Sequence, residues 1–204
     1  IETYPEAPSL IMQGVTTAVI GNCGLGLAPV SPDTEALLRS YLSPFAPALP
    51  TPLPWRRFSE YLEHLERVRP SINLAPLVAH GTVRISVMGF DRRHPTDGEL
   101  RAMRDAVREA MEDGAFGLST GLVYVPGVYS ETEELVQLAE ELRAFNGLYA
   151  SHIRGEGDAV ERAVGEALMI GRRAGVRVHV SHHKAMGRRN WGKVNATLAM
   201  MEDD

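Results

Sequence analysis

The sequence predicts an α/β protein built as part of a (β/α)8 barrel with parallel strands. Three observations predict this class. The apolar runs are short and glycine-bounded, they alternate with segments of helical period, and the predicted strands end in polar residues. A doubly wound sheet also accommodates about five strands, but polar groups that follow every strand and share one mouth favour a barrel. A complete barrel needs about 250 residues, whereas the chain has 204, so we expect a partial one.

The N-terminal quarter contains one predicted strand and one long excursion. Residues 15–20 form an apolar, β-branched run that indicates a buried strand. Residues 31–70 are rich in proline, which predicts an extended, loop-rich excursion. Within it, Phe58, Tyr61 and Leu65 have the spacing of a short amphipathic helix.

The central part of the chain shows the strand–helix alternation most clearly. Residues 71–81 predict a second strand, which ends at His80. A helix follows over 95–114, where Thr96 and Glu99 have the spacing of a capping box. The remaining elements follow in order: a strand over 115–122, a helix capped by Ser130 and Glu133 and ended by Asn146-Gly147, a strand over 148–154, a helix over 158–174 ended by Gly175, a strand over 176–183 and a helix over 190–201.

Composition excludes several classes of function. The apolar share is 44% and the charged share 23%, which is typical of a globular protein. A net charge of -5 argues against binding to nucleic acid or to an anionic membrane surface. No apolar run approaches the roughly 20 residues needed to span a bilayer. The one cysteine, Cys23, cannot form an intramolecular disulfide, so we expect a cytoplasmic protein.

The two ends of the sequence resemble the interior of a longer protein. We expect residues 1–204 to be an internal fragment of one barrel domain, with 31–70 as its excursion. A barrel fragment exposes strand edges and apolar helix faces, so we expect either that the chain pairs with a second copy, as a homo-oligomer, or that the rest of a longer chain covers them.

The predicted strand ends supply candidate metal ligands. They carry Cys23, His80, Ser119-Thr120, His152 and His182-His183. Cysteine and histidine suit zinc, and a catalytic zinc site keeps one position open. The ligands would come one from each strand, unlike the short spacing of a zinc finger. Spacing alone leaves two alternatives open: a lone buried cysteine is more often a small apolar side chain, and a lone histidine at a strand end is often structural.

The segments around these residues resemble one family. QGVTTAVIGNCGLGLAPV, GAFGLSTGLVYVPGVYS, YASHIRGEGD and VSHHKAMGRRNWG occur in this order, from about residue 8 to residue 193. They resemble the N-acyl-D-amino-acid deacylases (D-aminoacylases) of the amidohydrolase superfamily. The resemblance implies barrel strands 2 to 6 and metal ligation by Cys23, His152 and His182, with Zn2+ as the expected metal. It also implies that Lys184 holds the carboxylate of the substrate, that Tyr124 lies at the substrate, and that His183 is structural.

The expected reaction is hydrolysis of the amide bond of an N-acyl-D-amino acid. We place His80 behind the ligands, as a residue that orients a ligand or a water. Arg154 and Glu156 follow His152 and either orient it or form a salt bridge. A His-x-His motif on the first strand and an aspartate that acts as general base belong to the family pattern, and both are expected outside this chain. Two alternatives stay open. One is another amidase or cyclic amidase of the superfamily, although such an enzyme would need a metal-bridging lysine near "GLSTG". The other is a non-catalytic metal-binding fragment.

Overall fold

Parallel strands form the centre of the molecule, in a computed structural model that describes residues 4–46 and 48–203. One sheet has the strand order β1-β2 and the other the order β3-β4-β5-β6, and every strand pair in both is parallel. The strands are β1 (Thr17–Ile20), β2 (Asn73–Pro76), β3 (Val78–Ala79), β4 (Gly117–Gly121), β5 (Leu148–His152) and β6 (Arg177–Val180). The predicted mixed α/β class with parallel strands is confirmed.

The two sheets join through β2 and β3, which are separated by Leu77 alone. The amide of Leu77 donates to the carbonyl of Ile20 at 2.9 Å, and the amide of Phe116 donates to the carbonyl of Pro76 at 2.9 Å. The predicted strand over 71–81 therefore exists as two short pieces that link β1 on one side to β4 on the other. The carboxyl ends of all these strands lie on one side, which is where parallel α/β proteins build their sites.

Helices connect the strands. They are α1 (Pro8–Ile11), α2 (Glu35–Leu42), α3 (Phe58–Val68), α4 (His80–Met88), α5 (Asp97–Glu112), α6 (Thr132–Glu140), α7 (Val160–Ala174) and α8 (Lys193–Glu202). The capping box of α5 is confirmed, because the Thr96 hydroxyl accepts from the Glu99 amide and the Glu99 carboxylate accepts from the Thr96 amide. Gly175 ends α7 in the left-handed region, also as predicted.

Three details of the sequence prediction were wrong. His80 is the first residue of helix α4, since β3 already ends at Ala79, and α4 itself was missed. Residues 80–85 are all buried, so α4 has no polar face and its sequence lacks an amphipathic period. Ser130 and Glu133 do not cap α6, whose N-cap is Glu131; Ser130 is buried and contacts His80.

The excursion over residues 31–70 is more ordered than a loop. The predicted helix over Phe58, Tyr61 and Leu65 is α3, and α2 precedes it. Trp55 is 1% exposed and donates its indole N–H to the Leu27 carbonyl at 2.6 Å. The buried residues of the excursion and of the strand–helix units form a single apolar core, so the excursion is part of the same folded body.

Candidate metal centre

Three strand ends bring Cys23, His152 and His182 together. Cys23 follows β1, His152 is the last residue of β5, and His182 follows β6. The Sγ of Cys23 lies 3.4 Å from Nε2 of His182, and the same Nε2 lies 3.1 Å from Nδ1 of His152. One ligand atom from each of the three residues falls within 4.8 Å of the other two. The residues predicted as metal ligands therefore form one cluster.

The loop that carries Cys23 is held by its backbone. Cys23 itself has φ 56, in the left-handed region, between Gly21 and Gly24, which also have positive φ. A Cβ on Gly121, the last residue of β4, would lie only 2.0 Å from the Cys23 carbonyl oxygen. Glycine at position 121 is therefore required for the Cys23 loop to approach the end of β4 this closely.

Hydrogen bonds attach the same loop to β4 and to the residue that follows β6. The Ser119 hydroxyl of β4 accepts from the Gly24 amide at 3.1 Å and donates to the Gly21 carbonyl at 2.5 Å. On the other side, the hydroxyl of Ser181 donates to the Asn22 side-chain oxygen at 3.1 Å. The thiol is thus presented to the histidines from a rigid support.

Burial sets the protonation of two cluster members. Burial raises the pKa of the Cys23 thiol, the charge of Glu156 raises it further, and Lys184 lowers it. Burial lowers the pKa of His152; Glu156 opposes this shift, and His182 and Lys184 add to it. At neutral pH the cluster consequently holds a protonated thiol and a neutral His152 imidazole. A neutral imidazole has a lone pair free for a metal ion.

Two residues that the sequence placed at the substrate lie beside the cluster. The Tyr124 ring, in the loop after β4, packs edge-on against His152 with 5.1 Å between ring centroids. The ammonium of Lys184 lies 3.2 Å from Nδ1 of His182, and the Lys184 side chain is 46% exposed. Both side chains therefore lie where a molecule bound at the cluster would contact them.

His80 and Arg154 lie in the surrounding scaffold. His80 is fully buried, and its Nε2 contacts a carboxylate oxygen of Glu134 at 2.9 Å and the Ser130 hydroxyl at 3.3 Å. Arg154 donates to Glu166 and to the Ser130 carbonyl. Both residues therefore contact Ser130, in the segment after β4 that carries Tyr124. Their carboxylate partners are Glu134 for His80 and Glu166 for Arg154.

The adjacent histidines at 182 and 183 face different surroundings. Whereas His182 joins the cluster, Nε2 of His183 is hydrogen-bonded to the Thr197 hydroxyl of α8 at 2.9 Å. This contact agrees with the structural role predicted for His183.

Glu156 lies beside the cluster, and the sequence left open whether it orients His152 or forms a salt bridge. Its Oε1 lies 3.1 Å from Nδ1 of His182, 3.5 Å from Nε2 of His152 and 2.5 Å from the Lys184 ammonium. Its position four residues after His152, in a loop between two glycines, was a weak signal, because these contacts depend on how two separate loops pack.

Relatives of known sequence match almost the whole of this chain. No family model matches it. It is 41% identical to a D-aminoacylase of Alcaligenes xylosoxydans xylosoxydans over 94% of the chain, and 44% identical to an N-acyl-D-glutamate deacylase of the same organism over 98% of the chain. The chain spans 39% and 40% of those two relatives.

Solved structures give the same result. An N-acyl-D-glutamate deacylase of Bordetella bronchiseptica, complexed with zinc and a phosphonate inhibitor, superimposes with a TM-score of 0.87 at 41% identity. A D-aminoacylase described as defining a novel subset of amidohydrolases superimposes with a TM-score of 0.86 at 38% identity. The chain covers 41% and 42% of these structures, which in turn match 98% and 99% of it.

In fold and sequence the chain is similar to proteins of the amidohydrolase class. Within that class, the resemblance to the N-acyl-D-amino-acid deacylases that the sequence motifs indicate is confirmed over the span that the chain shares with them.

Proposed function

We propose that this chain carries a metal site of a zinc-dependent N-acyl-D-amino-acid deacylase. Such an enzyme hydrolyses the amide bond of an N-acyl-D-amino acid to a carboxylate and a free D-amino acid. The observation that supports this most directly is the convergence of Cys23, His152 and His182 within 4.8 Å at the ends of parallel strands. The relatives named as D-aminoacylase and the solved relative complexed with zinc support both the reaction and the metal.

The three donor atoms fit a zinc ion. In a tetrahedral zinc site, Zn–N distances of about 2.0 Å and Zn–S distances of about 2.3 Å separate the donors from each other by roughly 3.3 to 3.6 Å. The observed separations are 3.4 Å for Cys23 Sγ to His182 Nε2 and 3.1 Å for His182 Nε2 to His152 Nδ1. One thiolate and two imidazoles also leave a position open, as in catalytic zinc sites.

Different residues of the chain bind different parts of the substrate. When bound, the metal supplies a Lewis acid for the amide carbonyl and lowers the pKa of water. The ammonium of Lys184, half-exposed beside the cluster, holds the carboxylate of the amino acid through a charge-assisted hydrogen bond. Tyr124, packed on His152, lines the same mouth and orients the acyl group. The general base is an aspartate that the resemblance places outside this chain.

The wider architecture follows from the same proposal. The six strands are strands 2 to 6 of a (β/α)8 barrel, with β2 and β3 together as one of them, and residues 1–204 are part of that single barrel domain. None of the helices in the described residues is long and apolar enough to cross a membrane. The lone cysteine supports a cytoplasmic location. The edge strands β1 and β6 support pairing with a second copy of the chain.

Elemental analysis of the full-length protein tests the metal site. Wild type should hold about one zinc in this site, and Cys23→Ala, His152→Ala and His182→Ala should each lower the zinc content. Unchanged zinc in all three variants would contradict the site.

Chiral substrates test the reaction. The full-length enzyme should release methionine from N-acetyl-D-methionine faster than from N-acetyl-L-methionine. A preference for the L form would refute the deacylase assignment, even if zinc is bound as proposed.

A further inference from the structure

We infer that Glu156 is a positioning residue of the metal centre, which orients both histidine ligands and holds Lys184 at the mouth through one carboxylate oxygen. The inference rests on the proposed metal site and extends it to a residue that touches no atom of the Cys–His–His donor set directly. Its basis is the way in which the two ring nitrogens of each histidine are used.

Each histidine presents one nitrogen to the cluster and the other to Glu156. Nε2 of His182 and Nδ1 of His152 face each other at 3.1 Å. The opposite nitrogens, Nδ1 of His182 and Nε2 of His152, lie 3.1 Å and 3.5 Å from Oε1 of Glu156. A carboxylate that accepts the outer N–H fixes the tautomer, which leaves the inner nitrogen with its lone pair towards the metal.

Glu156 also reduces the electrostatic repulsion between Lys184 and a metal ion bound at the cluster. The Lys184 ammonium lies 3.2 Å from the His182 ring, so it would repel a divalent cation held by that ring. Oε1 of Glu156 contacts both groups, at 2.5 Å from Nζ of Lys184 and 3.1 Å from Nδ1 of His182, and its negative charge offsets that of the ammonium. The Glu156 side chain is only 9% exposed, so solvent screens this interaction weakly.

Hydrogen bonds between two loops fix the position of the Glu156 carboxylate before a metal ion binds. The carbonyl of Glu156 accepts from the amide of Met186, which ties the loop after β5 to the loop after β6. Two residues further on, Asp158 accepts hydrogen bonds from Arg189 and Asn190 of that second loop. The loop that bears Glu156 is thus attached to the loop that bears His182 and Lys184.

Asp158 offers a matched control, because it ties together the same two loops while it contacts neither His152 nor His182 in the described structure. In the full-length protein, Zn2+ affinity would be measured by competition with a chromophoric chelator. Glu156→Gln should weaken the affinity by roughly 10- to 100-fold, the range for loss of an outer hydrogen-bond partner of a metal ligand. Asp158→Asn should change it by less than about threefold, although it lowers the thermal midpoint.

Co2+ substitution supplies a second readout. Glu156→Gln should keep the thiolate-to-cobalt charge-transfer band of Cys23, because the donor set stays intact. Unchanged Zn2+ affinity in Glu156→Gln, or an equal loss in Asp158→Asn, would overturn the inference.

The wild-type protein provides a test that needs no variant. Long-range 15N–1H correlation spectra of the metal-free protein should show His182 with its proton on Nδ1. A proton on Nε2 would overturn the inference. Cys23→Ala serves as the reference: if it too keeps full Zn2+ affinity, the proposed metal site itself fails, whereas a loss in Cys23→Ala beside an unchanged Glu156→Gln refutes the role of Glu156 alone.

Discussion

The Sγ of Cys23 lies 3.4 Å from Nε2 of His182, although the two residues are 159 positions apart in the chain. Cys23 follows the first strand and His182 follows the last, and His152 completes the group from β5, which pairs with the last strand. A contact over such a distance in sequence depends on the whole sheet being in place. It therefore makes the proposed metal site sensitive both to its donors and to the backbone that brings them together.

Replacement of the thiol tests the donor set most directly. Cys23→Ser keeps the size and position of the side chain, but a serine hydroxyl stays protonated and binds zinc poorly. The Zn2+ affinity should fall by more than the roughly 10- to 100-fold that loss of an outer partner costs. The Co2+ derivative should also lose its thiolate charge-transfer band, with far-ultraviolet circular dichroism unchanged. A Ser variant that keeps this band would exclude Cys23 as a ligand.

The neighbouring histidines give a matched pair. His182→Ala removes a donor, so bound zinc should fall below stoichiometric levels in elemental analysis. His183→Ala removes a hydrogen bond to Thr197 and should cost about 1 kcal/mol of unfolding free energy, with zinc content unchanged. Equal zinc loss in the two variants would show that the loop matters and the His182 donor does not.

Gly121 tests the backbone that supports Cys23. An alanine Cβ at this position would lie 2.0 Å from the Cys23 carbonyl oxygen, so the Cys23 loop must shift. Gly121→Ala should lower the free energy of unfolding by roughly 1–3 kcal/mol and weaken Zn2+ binding. Gly192→Ala is the control, because a Cβ there meets nothing within 4 Å. Urea unfolding with and without Zn2+ measures both effects, and wild-type zinc affinity in Gly121→Ala would contradict the proposed support.

Lys184 should act on substrate and leave the metal in place. Lys184→Met keeps the aliphatic stem and removes the charge, which is expected to cost roughly 10- to 100-fold in kcat/KM, the equivalent of one hydrogen bond to a charged group. Steady-state kinetics on an N-acyl-D-amino acid would measure this loss, and elemental analysis should show unchanged zinc. If the amide analogue of the substrate, which lacks the carboxylate charge, shows the same loss, Lys184 has another role.

The buried network around Glu134 predicts how stability depends on pH. Burial raises the pKa of Glu134, but the hydrogen bond and charge of His80 and the charge of Arg84 lower it, so the net pKa lies below 4.5. A lowered pKa in the folded state means stability that is present above the unfolded pKa and is lost as the pH falls through the folded value. Urea unfolding should show this loss below about pH 4.5 in the wild type.

Two variants isolate this contribution. Glu134→Gln leaves the Arg84 guanidinium buried without its carboxylate, so unfolding free energy at pH 7 should fall by roughly 3–5 kcal/mol, and less of it should then be lost on acidification. Glu133→Gln, on the exposed pair with Arg173, should change little at either pH. Parallel pH curves for Glu134→Gln and the wild type would rule out Glu134 as the source.

The sequence predicted the site better than the elements that hold it. The convergence of Cys23, His152 and His182 was predictable because parallel strands deliver their carboxyl ends to one side, whereas their selection as ligands came from the family resemblance. Helix α4 was missed because it is buried on nearly every side and carries no amphipathic pattern. Ser130 has the spacing of a cap, yet its burial beside His80 gives it a different partner. Local patterns report local contacts, and these two cases depend on neighbours from distant parts of the chain.

The contacts of Glu156 could not be predicted from local sequence patterns either. Its contacts come from a loop after β5 that packs on a loop after β6, and nothing in the spacing of either loop fixes that packing. A carboxylate four residues after a histidine reads equally well as a surface ion pair. Only the folded arrangement shows one oxygen shared by two imidazoles and an ammonium.

The position of β1 and β6 at the two outer edges of the strand arrangement has a mechanical consequence. Because Cys23 follows one edge strand and His182 the other, an ion bound between them would cross-link the two edge strands and resist their separation. Closing so long a stretch of chain removes conformational freedom from the unfolded protein in the way that a disulfide does. Removal of the ion by a chelator would then free β1 and β6 to move apart, with their unpaired edges accessible to other chains.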